Sequence, residues 1–145
     1  GGGNLEYLLT LQKPIWSKIT CTGYVDKETL YELYAISDIG VLPSFHEEFG
    51  LVALEMMMMK LPLIVGRTTG LSELVNHDES GLQVYCKKGS REKSVSFIKE
   101  AITELLNDKD KQKRFAEQGR KRYLQQYTLE AFLQRMKSLY EECTH

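Results

Sequence analysis

The chain has 145 residues, 42% of them hydrophobic and 27% charged, which is the composition of one globular domain with a buried core and excludes disordered, collagenous and coiled-coil classes. Nineteen basic and twenty acidic residues leave a net charge of −1, so no global field argues for nucleic-acid binding. The longest apolar run, Leu51 to Met59, is interrupted by Glu55 and is far too short to span a bilayer. Cys21, Cys86 and Cys143 are an odd, widely spaced set without a CxxC, and His46, His77 and His145 are equally scattered. Neither set suggests a disulfide framework or a metal cluster, and a reducing, cytoplasmic compartment is expected.

In chain order, Ser17 to Gly23 reads as a strand, rich in β-branched residues and closed by glycine. Asp26 is a plausible N-cap for a helix carrying Leu30, Leu33, Tyr34 and Ile36. Asp38–Leu42 is a second strand, stopped by Pro43. Leu51–Lys60 is apolar on most faces and reads as a buried helix, and Pro62–Gly66 as a third strand. A short helix at Leu71–Asn76, a turn at Asp78–Gly81 and a fourth strand at Leu82–Tyr85 follow. Three helices close the chain. The first has Val95, Ile98, Ile102 and Leu105 on one stripe. The second, roughly Lys111–Gln126, is polar. The third, after Thr128, has Leu129, Phe132, Leu133, Met136 and Tyr140 facing inward. Strand-helix alternation with short links predicts an α/β fold: one domain over 1–145, with a parallel sheet of about four strands flanked by helices.

The stretch that carries chemistry runs Val41-Leu42-Pro43-Ser44-Phe45-His46-Glu47-Glu48-Phe49-Gly50-Leu51-Val52-Ala53-Leu54-Glu55. A strand ends at Pro43, an acidic loop follows, and a helix begins near Gly50. In open parallel sheets ligands sit at that edge. The helix's first turn offers free N–H groups and the positive dipole end to an anion such as a diphosphate. Carboxylates at Glu47 and Glu55 suit the vicinal hydroxyls of a sugar or ribose, each charged bond contributing about 1.5–3 kcal/mol.

Glu47, seven residues, then Glu55, with Phe49-Gly50 after the first carboxylate, resembles the E-x7-E motif of retaining glycosyltransferases of family 4, which have the GT-B fold. Gly23-Tyr24-Val25, Leu33-Tyr34-Ala35, Ser37-Asp38-Ile39, Pro62-Leu63-Ile64, Gly70 to Val75, Ser80-Gly81-Leu82 and the Thr128–Leu133 region resemble the same family in the same order. The resemblance implies a Rossmann-like, partial GT-B C-terminal domain whose closing helix covers 128–142. It implies retaining, metal-independent transfer from a nucleotide diphosphate sugar to a glycan or glycoconjugate, with no cofactor. Glu47 would bond donor sugar hydroxyls and carry the catalytic role. Glu55 would bond the ribose. The N–H groups of Phe49, Gly50 and Leu51 would approach sugar and phosphates, and Tyr24 and Val25 would border the base. Ser44 and His46 join the donor-binding set. Packing on a neighbouring helix stands beside stacking for Tyr24, and an exposed loop role stands beside ligand contact for His46.

The sequence departs from the family at Glu48, Met56 and Met58, where small residues are usual, and at Lys60 and Thr69, where glycine is usual. The family's domain opens with a strand-helix-strand unit whose Arg and Lys grip the diphosphate. Gly1-Gly2-Gly3 reads as the end of that unit, as a native turn or as a cloning remnant. The expected chain is thus a donor-binding half without its acceptor domain, inactive alone. Its first two strands would either pair directly or be completed by another chain, and an incomplete sheet edge would favour association. A non-catalytic nucleotide-sugar-binding module working with a separate partner is the alternative. The Met56–Met59 run reads as gap-filling packing, and Asp108 as a helix cap rather than part of a metal-binding Asp-x-Asp. Lys109–Arg122 carries net charge +5 and reads as a solvated face, or as one that meets a partner or, peripherally, the inner face of a membrane.

Overall fold

A computed structural model describes residue 10 and residues 15–143. The chain divides into two units, Gly1–Glu32 and Leu33–His145. The described part of the first contains a 3-10 turn at Trp16–Lys18 and most of α1 (Lys27–Ile36), which ends in the second. Asp26 starts α1 as expected: its carboxylate accepts the Thr29 N–H at 2.9 Å and the Thr29 hydroxyl at 3.0 Å. These bonds favour the ionised form and hold the carboxyl below its ordinary pKa. The strand expected at Ser17–Gly23 does not form. Residues 19–23 have no regular structure and are exposed. The β-branched pattern there is real, but a strand exists only beside a ladder partner, and none of the described strands pairs with this segment. The glycines at 1–3 lie outside the described residues.

The parallel sheet flanked by helices forms as expected. Among the described residues it has three strands where about four were expected: β1 (Gly40–Leu42), β2 (Leu63–Gly66) and β3 (Gly81–Val84), in the order β1-β2-β3. Val41 pairs with Ile64, and Ile64 with Leu82. The helices are α2 (Leu51–Met58), α3 (Thr69–Leu74), α4 (Arg91–Asn107), α5 (Lys109–Gln126) and α6 (Leu129–Cys143). Alternation along β2 sends successive side chains into two separate cores. Leu63 and Val65 meet Ala53, Leu54 and Met57 of α2 and Leu71 and Leu74 of α3. Ile64 turns to the other face and meets Leu82, Val84, Ala101, Leu105 and Phe115. Burial on both faces explains why β2 reads as an unbroken apolar run.

Two readings of apolar faces are corrected. The stripe on α6 is not inward: no residue of that helix is buried, and Leu129, Phe132, Leu133 and Tyr140 are 67%, 52%, 56% and 66% exposed. Helical periodicity shows that one side is apolar, not that the same chain covers it. On α2, Leu51 and Val52 are also exposed, and on α4 so is Val95. The methionine run packs as expected, with Met57 buried and Met56 half-buried against the first core.

Lys60 follows α2 with φ 58°, a left-handed conformation that costs a side chain about 1–2 kcal/mol. The backbone thus keeps the geometry of a glycine where this chain has lysine. Lys60→Gly is expected to raise stability by about 1 kcal/mol in urea unfolding, the strain relieved exceeding the added unfolded-state entropy.

Asp78, Lys111, Glu104 and Arg114 form an ion-pair cluster linking the turn before β3 to α4 and α5. The Lys111 ammonium bonded to Asp78 holds that carboxyl below its ordinary value. Its stabilising share is present above the unfolded-state pKa near 4 and is lost as pH falls through the lower folded one. Because Asp78 is more than half exposed, solvent screening limits the share to under about 1 kcal/mol. Asp78→Asn is expected to flatten the acid limb of a stability-against-pH curve by that amount, while leaving the curve near pH 7–8 parallel to wild type.

Candidate functional site

β1 ends at Leu42, the loop 43–50 crosses the carboxyl edge of the sheet, and α2 starts at Leu51. The N-cap is Gly50, in the left-handed region at φ 91°, and no side chain caps the helix, so its first-turn N–H groups are left for solvent or a ligand. A Cβ at Gly50 would lie 2.7 Å from Leu71 Cδ2. The loop rests on bare backbone. The Gly70 N–H donates to the Glu47 carbonyl at 3.1 Å. A Cβ at Gly70 would overlap the Glu48 carbonyl and stand 2.6 Å from the Phe49 nitrogen, and one at Gly66 would overlap the Ser44 carbonyl. Thr68 caps α3 by accepting the Leu71 N–H at 3.3 Å, which fixes the end that carries Gly70.

Ser44, His46, Glu47, Phe49, Gly50 and Leu51 therefore lie on one continuous loop-to-helix segment, with Glu55 one turn beyond Leu51 on the same side of α2. Glu47 and Glu55 are both half-buried, and neither carboxylate has a hydrogen-bond or ion-pair partner among the described residues. Glu48 is different: it is 85% exposed and pairs with His46 Nε2 at 3.0 Å. The third carboxylate is thus turned to solvent, and His46 is engaged with it. Phe49 and Leu51 are exposed and Ser44 half-buried. Tyr24, almost fully exposed, and Val25, half-buried, belong to the first unit. Grooves of about 570 and 290 Å³ occur elsewhere, along α5 near Lys60 and between β3 and α4, and are not lined by the motif residues. Among the described residues no group of three or more His, Cys, Asp or Glu is placed to hold a metal, and no helix is long and apolar enough to cross a membrane.

The sequence profile of "Glycosyl transferases group 1" matches residues 2–122. The chain belongs to this glycosyltransferase family. Sucrose-phosphate synthase from Thermosynechococcus elongatus superposes with a TM-score of 0.80 at 28% identity, over 97% of this chain and 33% of that one. The C-terminal domain of a group 1 glycosyl transferase, LpcC, from Francisella tularensis superposes with a TM-score of 0.72 at 25% identity, over 86% of this chain and 64% of that one. Alpha-D-kanosaminyltransferase from Streptomyces kanamyceticus is 27% identical over 125 residues, 86% of this chain and 31% of the relative. The chain is thus a GT-B C-terminal domain, and it spans about a quarter to a third of the length of the first curated relatives that it matches.

Three features of the site escape the sequence reading. Gly66 and Gly70 seat the motif loop, and α5 secures the helices behind it. Five of the seven basic residues in Lys109–Arg122 are occupied within the domain. Lys109, Lys111 and Arg114 pair with acids, while Arg120 donates to the Met58 carbonyl and Arg122 to those of Leu74 and Glu73. The signal available beforehand was the helix end itself: the last carbonyls of a helix lack an intrahelical donor, and Pro62 shortly after Met58 marks a place where the helix has to stop. Asp108 caps α5 as expected, accepting the Lys111 N–H at 2.8 Å.

Proposed function

We propose that this domain binds the nucleotide diphosphate sugar donor for retaining glycosyl transfer, as the C-terminal part of a larger glycosyltransferase. The observation that carries the reading is the pair of half-buried, unpartnered carboxylates, Glu47 and Glu55, flanking an uncapped helix N-terminus. Both carboxylates keep access to solvent in the free chain, and hydroxyl donors from a sugar and a ribose would take the place of that water. Glu47 accepts from the sugar and Glu55 from the ribose. The N–H groups at Gly50 and Leu51 take the diphosphate, which gains charge as the bond to the anomeric carbon breaks. Donors already aimed at that charge lower the barrier without reorganising. Phe49, Ser44 and His46 border the donor. The acceptor hydroxyl is presented by another part of the enzyme, so the isolated chain binds donor without turning it over. No metal is assigned to the reaction.

Calorimetric titration of the chain with UDP, GDP and their sugar conjugates tests this. Saturable binding of one nucleotide is expected. Glu55→Ala should weaken it by about 1.5–3 kcal/mol, roughly 10- to 150-fold, with an unchanged unfolding midpoint. Equal affinity in wild type and Glu55→Ala would remove Glu55 from the site.

A further inference from the structure

Resting on the donor-site reading, we propose that Arg120 is a positioning residue for the diphosphate end of that site. It fixes α2 from its far end. The C-terminus of α2 is a place where a carbonyl must find an outside donor. The Met59 N–H returns to Glu55 and Met56, the Leu61 N–H to Met56 and the Lys60 N–H to Met57. The Met58 carbonyl is left over because the chain turns left-handed at Lys60 and ends the helix, so no later N–H returns to it. Arg120 Nη1 fills that vacancy at 2.5 Å. The guanidinium also lies 5.5 Å from the Tyr123 ring, and Tyr123 packs on the core that contains Ala53, Leu54 and Met57. Arg120 is thus held at its own end, and the bond it makes locates α2 along the helix axis.

α2 is eight residues long, about 12 Å from end to end. A helix this short transmits a displacement of its last turn to its first. Its opposite end is Gly50 and Leu51, whose N–H groups the donor reading assigns to the diphosphate. The charge has the right sign as well, because a cation at the C-terminus neutralises the negative end of the dipole and leaves the positive end facing the anion. α5 does the same for α3, where Arg122 donates to Leu74 at 2.8 Å and to Glu73 at 2.6 Å. It also caps α4, through Gln112 to the Leu105 carbonyl. The α4 bond lies on the other side of the sheet from the motif loop and supplies an internal control.

The test compares Arg120→Met, Arg120→Lys, Gln112→Ala and Glu55→Ala in the full 145-residue chain, at a temperature where every variant is folded. Two readouts are taken: the amide resonances of Gly50, Leu51 and Val52 without ligand, and calorimetric affinity for UDP and GDP. Arg120→Met is expected to shift those resonances and weaken nucleotide binding about tenfold. Arg120→Lys, which keeps a donor and the charge, should recover affinity to within about threefold. Gln112→Ala should change neither readout. Unmoved resonances in Arg120→Met overturn the positioning role, as does unchanged affinity where Glu55→Ala loses it. Shifts of equal size in Gln112→Ala overturn it too, because they would mark general loosening. Shifted resonances with no nucleotide bound by wild type would overturn the donor reading and this proposal's ligand with it, while upholding the mechanical coupling.

Discussion

Phe115→Ala is expected to cost about 3–5 kcal/mol, the largest single-residue loss in the domain. Phe115 is completely buried on α5 and completes the core formed by Ile64, Leu82, Val84, Ala101 and Leu105. Removing the ring loses its transfer free energy and leaves a cavity between the sheet, α4 and α5, elements too constrained to collapse into it. Lys111 Nζ and Arg114 Cζ also lie 5.4 and 5.3 Å from the ring centre, so the same substitution removes a face that attracts two cations of the Asp78 cluster. A domain of this size is stable by about 5–15 kcal/mol, so the variant forfeits roughly a fifth or more of that. In urea the unfolding midpoint should fall with an unchanged slope, and the melting temperature should drop by about 10 °C or more. A loss under about 1 kcal/mol would show that α5 is not the lid of this core.

The sequence makes legible those elements whose pattern has one physical solution. β2 is unmistakable because Leu63, Ile64 and Val65 are buried on both faces, and an apolar run ended by glycine has little else to be. Asp26 and Asp108 are readable as caps because a short acceptor before a helical pattern meets unsatisfied N–H groups a few atoms away. The loop from Pro43 to Gly50 is readable because strand stop, glycine and helix start occur in sequence. What is not legible depends on partners. Ser17–Gly23 has the composition of a strand and no ladder neighbour among the described residues. The α6 stripe has the period of a core helix and is left exposed. The basic run of α5 shows the opposite failure. Arginines counted as a surface charge are donors to Met58, Glu73 and Leu74, because the carbonyls they serve are 48 to 62 residues away in the chain. For the site the same division holds. Glu47, Gly50 and Glu55 are singled out by a spacing that carries the family resemblance. That His46 is drawn to Glu48, and that the loop is seated on Gly66 and Gly70, depends on contacts that spacing does not encode.

Gly70→Ala sets two physical effects of opposite sign against each other. Gly70 lies inside α3, and alanine is a better helix former than glycine by about 1 kcal/mol, so propensity alone predicts a more stable protein. The added methyl would overlap the Glu48 carbonyl and stand 2.6 Å from the Phe49 nitrogen. Both are backbone atoms of the motif loop and cannot turn aside as a side chain would. α3 cannot retreat either, since Leu71 and Leu74 are packed in the core behind it and Arg122 grips its last carbonyls. The loop must therefore lift, and lifting breaks the bond from the Gly70 N–H to the Glu47 carbonyl. Overpacking against backbone costs about 1–3 kcal/mol or more, and the lost bond about another 1, so sterics outweigh propensity and the net loss is about 1–3 kcal/mol. The functional loss is expected to exceed the structural one. On the proposed function, displacing Glu47 and Gly50 by about an ångström misaligns a carboxylate and N–H groups assigned to the same donor, and affinity should fall by roughly a hundredfold. Urea unfolding and nucleotide titration on the same preparation separate the two. A gain in stability near 1 kcal/mol with unchanged binding would mean that the loop does not rest on α3. Lost binding in a variant still folded at the assay temperature would show that Gly70 serves the site by leaving room for it.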